Sequence, residues 1–105
     1  MRDVDERPLA FSYDSETRTL HVSGEVDELS GPALRATLGK HSGDYTEKLI
    51  VDLTDVDFLP SAGVGVLAVA MRNAEERGSD LELVAAKGTI AQQVLNICGL
   101  PHRHA

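Results

Sequence analysis

The alternation of apolar and polar positions predicts four β-strands. Residues 9–13 and 19–26 alternate with a period of two, and the turn-forming residues 14–17 between them indicate a hairpin. Residues 49–53 are a short apolar run interrupted by one Asp, as in a buried strand. A fourth strand is predicted within residues 80–86, which include Leu81, Leu83 and Val84.

Apolar residues at helical spacing predict three helices. Pro32 falls in the first turn of the first helix, where its missing N–H is tolerated, and residues 33–38 supply a short apolar stripe that ends near Gly39. The second helix begins at Ser61 and ends before Gly78. Thr89 opens the last helix and Gly99 ends it. Its apolar face is predicted to consist of four residues: Ile90, Val94, Ile97 and Cys98.

The resulting order, β-β-α-β-α-β-α, predicts an α/β fold with a mixed four-stranded sheet and helices packed on it. The length of the chain, 105 residues, corresponds to one domain. Residues 1–8 are charged and are expected to be a loose start, and residues 101–105 a C-terminal tail.

The candidate chemistry lies in residues 52–70, around the start of the second helix. Pro60 pushes Leu59 out of helical geometry, so Ser61 is expected to be the helix N-cap with an exposed hydroxyl. Gly63 and Gly65 each cost about 1 kcal/mol in a helix relative to Ala, which suggests close approach by another group.

The same helix is apolar on more than one side. Val64, Leu67 and Met71 can face the sheet, whereas Val66 and Val69 point elsewhere. These two valines either form exposed apolar surface or touch neighbouring helices, and the pattern favours neither.

Composition narrows the class of partner. The formal net charge of −7 argues against nucleic acid, which needs a basic surface, and fits a protein that meets a basic patch on another protein. Cys98 is the single cysteine, so no internal disulfide is expected. No stretch approaches about 18 consecutive apolar residues and the acidic start is unlike a signal peptide. A soluble, cytoplasmic protein without membrane insertion is expected.

Other polar residues have simple alternatives to a chemical role. Asp52, Asp55 and Asp57 resemble a metal-binding cluster, but solvated carboxylates at a strand end are more ordinary. His102 and His104 could bind a metal as a pair, but the pattern favours a frayed C-terminal tail.

Two further positions have plain structural interpretations. Cys98 is expected to be a small buried residue, and His21 to face solvent. No G-x-S-x-G elbow surrounds Ser61, so an esterase-like hydrolase is a weak hypothesis, and neither an enzyme nor a cofactor is predicted.

Three blocks in order resemble the STAS domain, and more closely the bacterial anti-sigma factor antagonists. Residues 24–34 read GEVDELSGPAL, residues 51–67 read VDLTDVDFLPSAGVGVL, and residues 94–100 read VLNICGL at the close of the last helix. The resemblance extends from about Leu9 to Leu100.

In that family the serine that matches Ser61 is phosphorylated by a partner kinase that is also an anti-sigma factor. The unphosphorylated antagonist binds this kinase and releases a sigma factor, and a phosphatase restores the binding form. The resemblance implies a partner-binding surface formed by Asp27, Glu28, Ser30, Pro60, Ser61, Ala62, Gly63, Val64 and Val66. Asp27 is equally interpreted as a loop residue that bonds its own backbone.

The chain departs from the family pattern beside the phosphoacceptor. Pro60 stands where the family often has Asp, and Ala62 stands where it often has a second Ser. The second departure leaves Ser61 as the one acceptor candidate, and the first puts kinase recognition in doubt. The alternative is a STAS subunit that is not phosphorylated, in a stress-signalling assembly or with the ATPase of a lipid transporter. A monomer and a weak dimer are both open.

Overall fold

The sheet has four strands: the first two are antiparallel to each other, and the second, third and fourth are parallel. The computed structural model describes residues 7–27 and 29–104. The strands β1 (Ala10–Asp14), β2 (Thr19–Glu25), β3 (Leu49–Phe58) and β4 (Leu81–Val84) lie in the order β1-β2-β3-β4. The β1–β2 pair is antiparallel, and the β2–β3 and β3–β4 pairs are parallel. The helices are α1 (Gly31–His41), α2 (Ser61–Glu76) and α3 (Ile90–Ile97). The predicted fold class is confirmed.

One face of the sheet forms the core because strand side chains alternate between faces. Buried residues on this face are Leu20, Val22, Leu49, Val51, Leu53, Leu81 and Leu83. The helices cover them with Leu34, Leu38, Leu67, Ala70 and Leu95. This aliphatic cluster matches the composition, which includes two Phe, two Tyr and no Trp.

Strand β3 is longer than the predicted run of residues 49–53. It continues to Phe58 because its backbone stays paired with β2 as far as the Glu25–Phe58 match. Asp55 and Asp57 lie within this extension with their side chains exposed. Backbone pairing does not require apolar side chains on the open face, so the carboxylates do not end the strand.

The predicted apolar face of α3 is wrong for three of its four residues, and only Val94 packs against the core. The helix buries Ala91 and Leu95, while Ile90 and Cys98 are exposed and Ile97 is 83% exposed. The buried stripe is therefore shifted by about one residue, since the position of the sheet, and not side-chain size, selects the inward face.

The described C-terminal residues, 101–104, are held against β4 through Arg103 and are not frayed. The Arg103 N–H donates to the Leu83 carbonyl (2.9 Å) and the Ala85 N–H donates to the Arg103 carbonyl (3.0 Å). The Arg103 guanidinium also pairs with Glu82 at 2.8 Å. Residues 1–6 of the expected loose start lie outside the described residues, and Arg7 pairs with Asp57 at 2.7 Å.

No helix in the described ranges has the length and apolarity needed to span a membrane.

Candidate functional site

The loops after β2 and β3 lie side by side at one end of the sheet. These strands are parallel, so their carboxyl ends meet at the same edge. The Val26 N–H donates to the Phe58 carbonyl at 3.0 Å, which joins the two loops directly. The structure thus brings together the Asp27 loop and the start of α2, two of the sequence blocks that are distant along the chain.

Ser61 is the first residue of α2 and not its N-cap, so the predicted capping role is wrong. Pro60 occupies the N-cap position with an extended backbone (φ −77°, ψ 169°), and its carbonyl accepts the first helical bond from the Val64 N–H (3.1 Å). No side-chain cap is formed, and Ser61 is exposed. Its hydroxyl has no hydrogen-bond partner among the described residues.

The two glycines of α2 have different environments. A Cβ at Gly63 would lie 2.9 Å from Val26 Cγ1 and 3.0 Å from Leu59 Cδ1, so Gly63 allows the helix to pack against both loops. A Cβ at Gly65 would meet nothing within 4 Å. The expectation of close approach is confirmed for Gly63, while Gly65 leaves an open place on the helix surface.

Asp27 organises its own loop. Its carboxylate accepts hydrogen bonds from the Leu29 N–H (2.9 Å) and the Ser30 hydroxyl (2.8 Å), and the Asp27 N–H donates to Ser30 Oγ (3.1 Å). The Ser30 hydroxyl, with the Leu29 amide, lowers the pKa of the Asp27 carboxyl. Asp27 therefore carries a charge at neutral pH beside the α2 start, and the interpretation as a backbone-bonding loop residue is confirmed.

The remaining predicted surface residues differ in exposure. Ala62 is exposed, Ser30, Pro60 and Val64 are half-buried, and Gly63 and Val66 are buried. Glu28 lies outside the described residues. Gly63 and Val66 therefore lie beneath the exposed members of this set.

Two exposed apolar residues at the two joined loops were missed by sequence reasoning. Leu29 is 90% exposed in the Asp27 loop and Phe58 is 52% exposed at the end of β3. Large apolar side chains that are exposed on adjacent loops are typical of interaction surfaces. The available signal was a lone Leu in a polar loop and a Phe among alternating acids.

Val66 and Val69 differ in the way the two alternatives describe: Val66 touches a neighbouring helix, and Val69 forms exposed apolar surface. Val66 packs towards α1, where its Cγ2 would lie 3.8 Å from a Cβ at Gly31. Val69 is 42% exposed. The side of α2 that faces away from the sheet therefore carries Ser61, Ala62, Gly65 and Val69 as one small-residue and apolar surface.

The other candidate groups occupy separate positions. Asp52 pairs with His21 (3.3 Å), which is exposed as expected, whereas Asp57 pairs with Arg7. His102 Nδ1 lies 2.8 Å from the Leu100 carbonyl oxygen. Within the described residues no three His, Cys, Asp or Glu side chains are grouped to hold a metal.

A family profile described as "Mlab, STAS domain" matches residues 9–102. Among curated relatives, the anti-sigma-F factor antagonist RsfB of Mycobacterium tuberculosis is 30% identical over 82 residues, which cover 77% of this chain and 65% of RsfB. The anti-sigma-B factor antagonist of Listeria monocytogenes is 30% identical over 70 residues, covering 67% of this chain and 61% of the relative. The chain thus spans less than two thirds of these relatives.

Solved structures give the same relationship. An anti-sigma factor antagonist from Mycobacterium paratuberculosis superposes with a TM-score of 0.74 at 25% identity, covering 89% of this chain and 80% of that one. The Bacillus protein SpoIIAA, in its phosphorylated form, superposes with a TM-score of 0.65 at 26% identity over 91% of each chain. The profile match over most of the chain and the structural superpositions agree, and the chain belongs to the STAS domain family.

Proposed function

We propose that this protein is an anti-sigma factor antagonist: a binding module that frees a sigma factor and is switched off by phosphorylation of Ser61. The observation that carries the proposal is the Ser61 hydroxyl, which is exposed and free of capping bonds at the first residue of α2. Relatives named as antagonists support it, and one of them, SpoIIAA, is known in unphosphorylated and phosphorylated forms.

A phosphate at Ser61 suits this position. Phosphoserine adds about −1.5 to −2 charges. The first-turn amides of α2 and the helix dipole favour an anion there, so the phosphoprotein is expected to stay folded. The same group adds charge and bulk beside the ionised Asp27, which opposes docking of a partner that fits the unmodified surface.

The proposed partner is an anti-sigma factor with serine kinase activity, and a serine phosphatase would restore the binding form. Leu29 and Phe58 supply apolar contact area next to Ser61, and the acidic side chains around them favour a partner with basic residues at the rim. The module has no catalytic role in this proposal, in keeping with relatives that are named as antagonists. The cytoplasm is the compartment proposed with these partners.

The first experiment is intact-mass measurement after incubation with ATP and each purified anti-sigma kinase of the source organism. Wild type should gain about 80 Da, one phosphate, and Ser61→Ala should gain none. Ser12→Ala, which removes another exposed serine on β1, is the matched control and should be phosphorylated like wild type. Phosphate on Ser61→Ala, or none on wild type with kinases active on a control substrate, would contradict the switch.

A second candidate is a STAS subunit that regulates a stress-signalling assembly or a lipid-transporter ATPase without phosphorylation. Two observations favour keeping it: Pro60 stands directly before Ser61, and the matching family profile is described as "Mlab, STAS domain" and not as an antagonist. Stable binding to an assembly subunit that Ser61→Glu leaves unchanged would support this candidate over the first.

A further inference from the structure

Residues 43–45 form a left-handed turn between α1 and β3. Gly43, Asp44 and Tyr45 have φ values of 57°, 56° and 68° in succession. Glycine adopts this conformation readily and Asp tolerates it, but a bulky Tyr is strained there. Strain of this kind persists only where the surrounding structure enforces it, and it is concentrated at functional sites.

Hydrogen bonds from the end of α1 enforce the turn. Ser42 is 1% exposed; its hydroxyl donates to the Leu38 carbonyl (2.7 Å) and accepts from the Tyr45 N–H (3.0 Å). The Asp44 N–H donates to the Gly39 carbonyl at 2.8 Å. The buried Ser42 hydroxyl, which both donates and accepts a hydrogen bond, holds Tyr45 in one place. A simple connection from α1 to β3 does not require a residue to be fixed in this way.

The turn sets Tyr45 into a groove between α1 and α2. The groove has a volume of about 440 Å³ and is lined by Arg35, Lys40, Tyr45, Val66, Val69 and Asn73, among others. Burial raises the pKa of the Tyr45 phenol, so the ring is neutral and serves as an apolar wall with a hydroxyl. Val69 forms an exposed apolar edge of the groove.

The charge of this groove is opposite to that of the whole chain. Arg35 and Lys40 are exposed and form no ion pair within the described residues, whereas Arg7 and Arg18 pair with carboxylates. Asp44 is the single acidic residue in the groove lining. A groove with two available cations beside exposed Val69 complements a segment that carries carboxylates next to an apolar side chain.

We propose that this groove is a second contact area for the anti-sigma factor, and that it receives an acidic segment of that partner with one apolar side chain against Val69 and Tyr45. The inference rests on the proposed function. Val69 follows Ser61 by eight residues, about 12 Å along α2. A standard interface of about 800 Å² per partner reaches from the Ser61 end to the groove. The two areas have different roles: phosphorylation at the acidic Ser61 end switches binding off, and the basic groove determines which partner binds.

The test is the affinity of purified anti-sigma factors of the source organism for wild type and two charge-reversed double variants. Arg35→Glu/Lys40→Glu reverses the groove, and Arg77→Glu/Lys87→Glu makes the same charge change at exposed cations elsewhere. The groove variant is expected to lose about tenfold or more in affinity at low salt and less at high salt, because salt screens exposed charges. The control variant should lose much less. Val69→Asp should weaken binding about tenfold at either salt concentration.

Thermal unfolding of each variant establishes that it is folded. If the groove and control variants bind the anti-sigma factor equally well, while wild type binds it and is released on phosphorylation, the groove proposal is wrong and the proposed function stands. Wild type that binds none of the anti-sigma factors would overturn both.

Discussion

Gly63 lies so close to Val26 that a Cβ at position 63 would come within 2.9 Å of Val26 Cγ1. Val26 directly precedes Asp27, and Gly63 follows Ser61 by two residues. This contact therefore sets the distance between the Asp27 loop and the start of α2. The absence of a side chain at Gly63 is what allows the two parts of the surface to meet.

Gly63→Ala is expected to destabilise the domain, and Gly65→Ala to stabilise it. Both changes gain up to about 1 kcal/mol of helix propensity. At Gly63 the added methyl also strains Val26 and Leu59, at a cost of about 1–3 kcal/mol, whereas the same methyl at Gly65 meets nothing within 4 Å. Urea unfolding measures both values. A stabilised Gly63→Ala variant would show that the loops yield, and that the contact does not set their spacing.

Ser61→Ala is expected to change the free energy of unfolding by less than about 0.5 kcal/mol, because the hydroxyl makes no capping bond. Thr89→Ala is the matched comparison, since Thr89 is a true N-cap whose side chain accepts from the Gln92 N–H at 3.2 Å. It should lose about 1 kcal/mol. Thermal unfolding of the two variants measures the difference, and an equal loss at both sites would mean that Ser61 does stabilise α2.

Leu29→Ala and Phe58→Ala are expected to weaken binding of the anti-sigma factor about tenfold each, as truncation of central apolar anchors does. Leu29→Ala should leave stability within about 0.5 kcal/mol because the side chain is almost fully exposed. Ile97→Ala is the control: it removes a comparably exposed apolar side chain from α3, outside the proposed surface. Titration calorimetry measures the affinities. An effect of Ile97→Ala equal to that of Leu29→Ala would argue against this surface.

Stability below neutral pH should depend in part on Glu82. The hydrogen bond from Arg103 lowers the pKa of this carboxyl from its ordinary value of 4.5. A lowered folded-state pKa means that the ionised form favours the folded protein. This stabilisation is present above the unfolded pKa and is lost as pH falls through the lower folded value.

Glu82→Gln removes this contribution. The variant should be less stable than wild type at pH 7, by less than about 1 kcal/mol for a surface pair, and the difference should shrink as pH falls below about 4. Melting temperatures measured from pH 3 to pH 7 test it. A difference that stays constant across this range would mean that Arg103 is held by its backbone bonds to β4 alone.

The order and type of the elements could be predicted from sequence because their signals are local. Period-two alternation, helical spacing and the Thr89 cap depend on neighbouring residues, and so do the helix ends at Gly78 and Gly99, which have positive φ. The local pattern after Pro60 singled out Ser61, and the family resemblance added its phosphorylation and the Asp27 loop.

Tertiary contacts decided what local patterns left open. Pairing with β2 carried β3 past two carboxylates to Phe58, and the position of the sheet turned Ala91 and Leu95 inward in place of Ile90 and Ile97. Each outcome depends on where another element lies, which spacing along the chain does not encode.

The proposed functional surface divides in the same way. The sequence alone identified the serine, its glycine-lined helix and the acidic loop, because each is a contiguous motif. Only the fold revealed that Gly63 brings the two motifs into contact, that Leu29 and Phe58 remain exposed beside them, and that a strained turn sets Tyr45 between α1 and α2. Exposure and proximity are properties of packed elements, and packing is decided by all of them together.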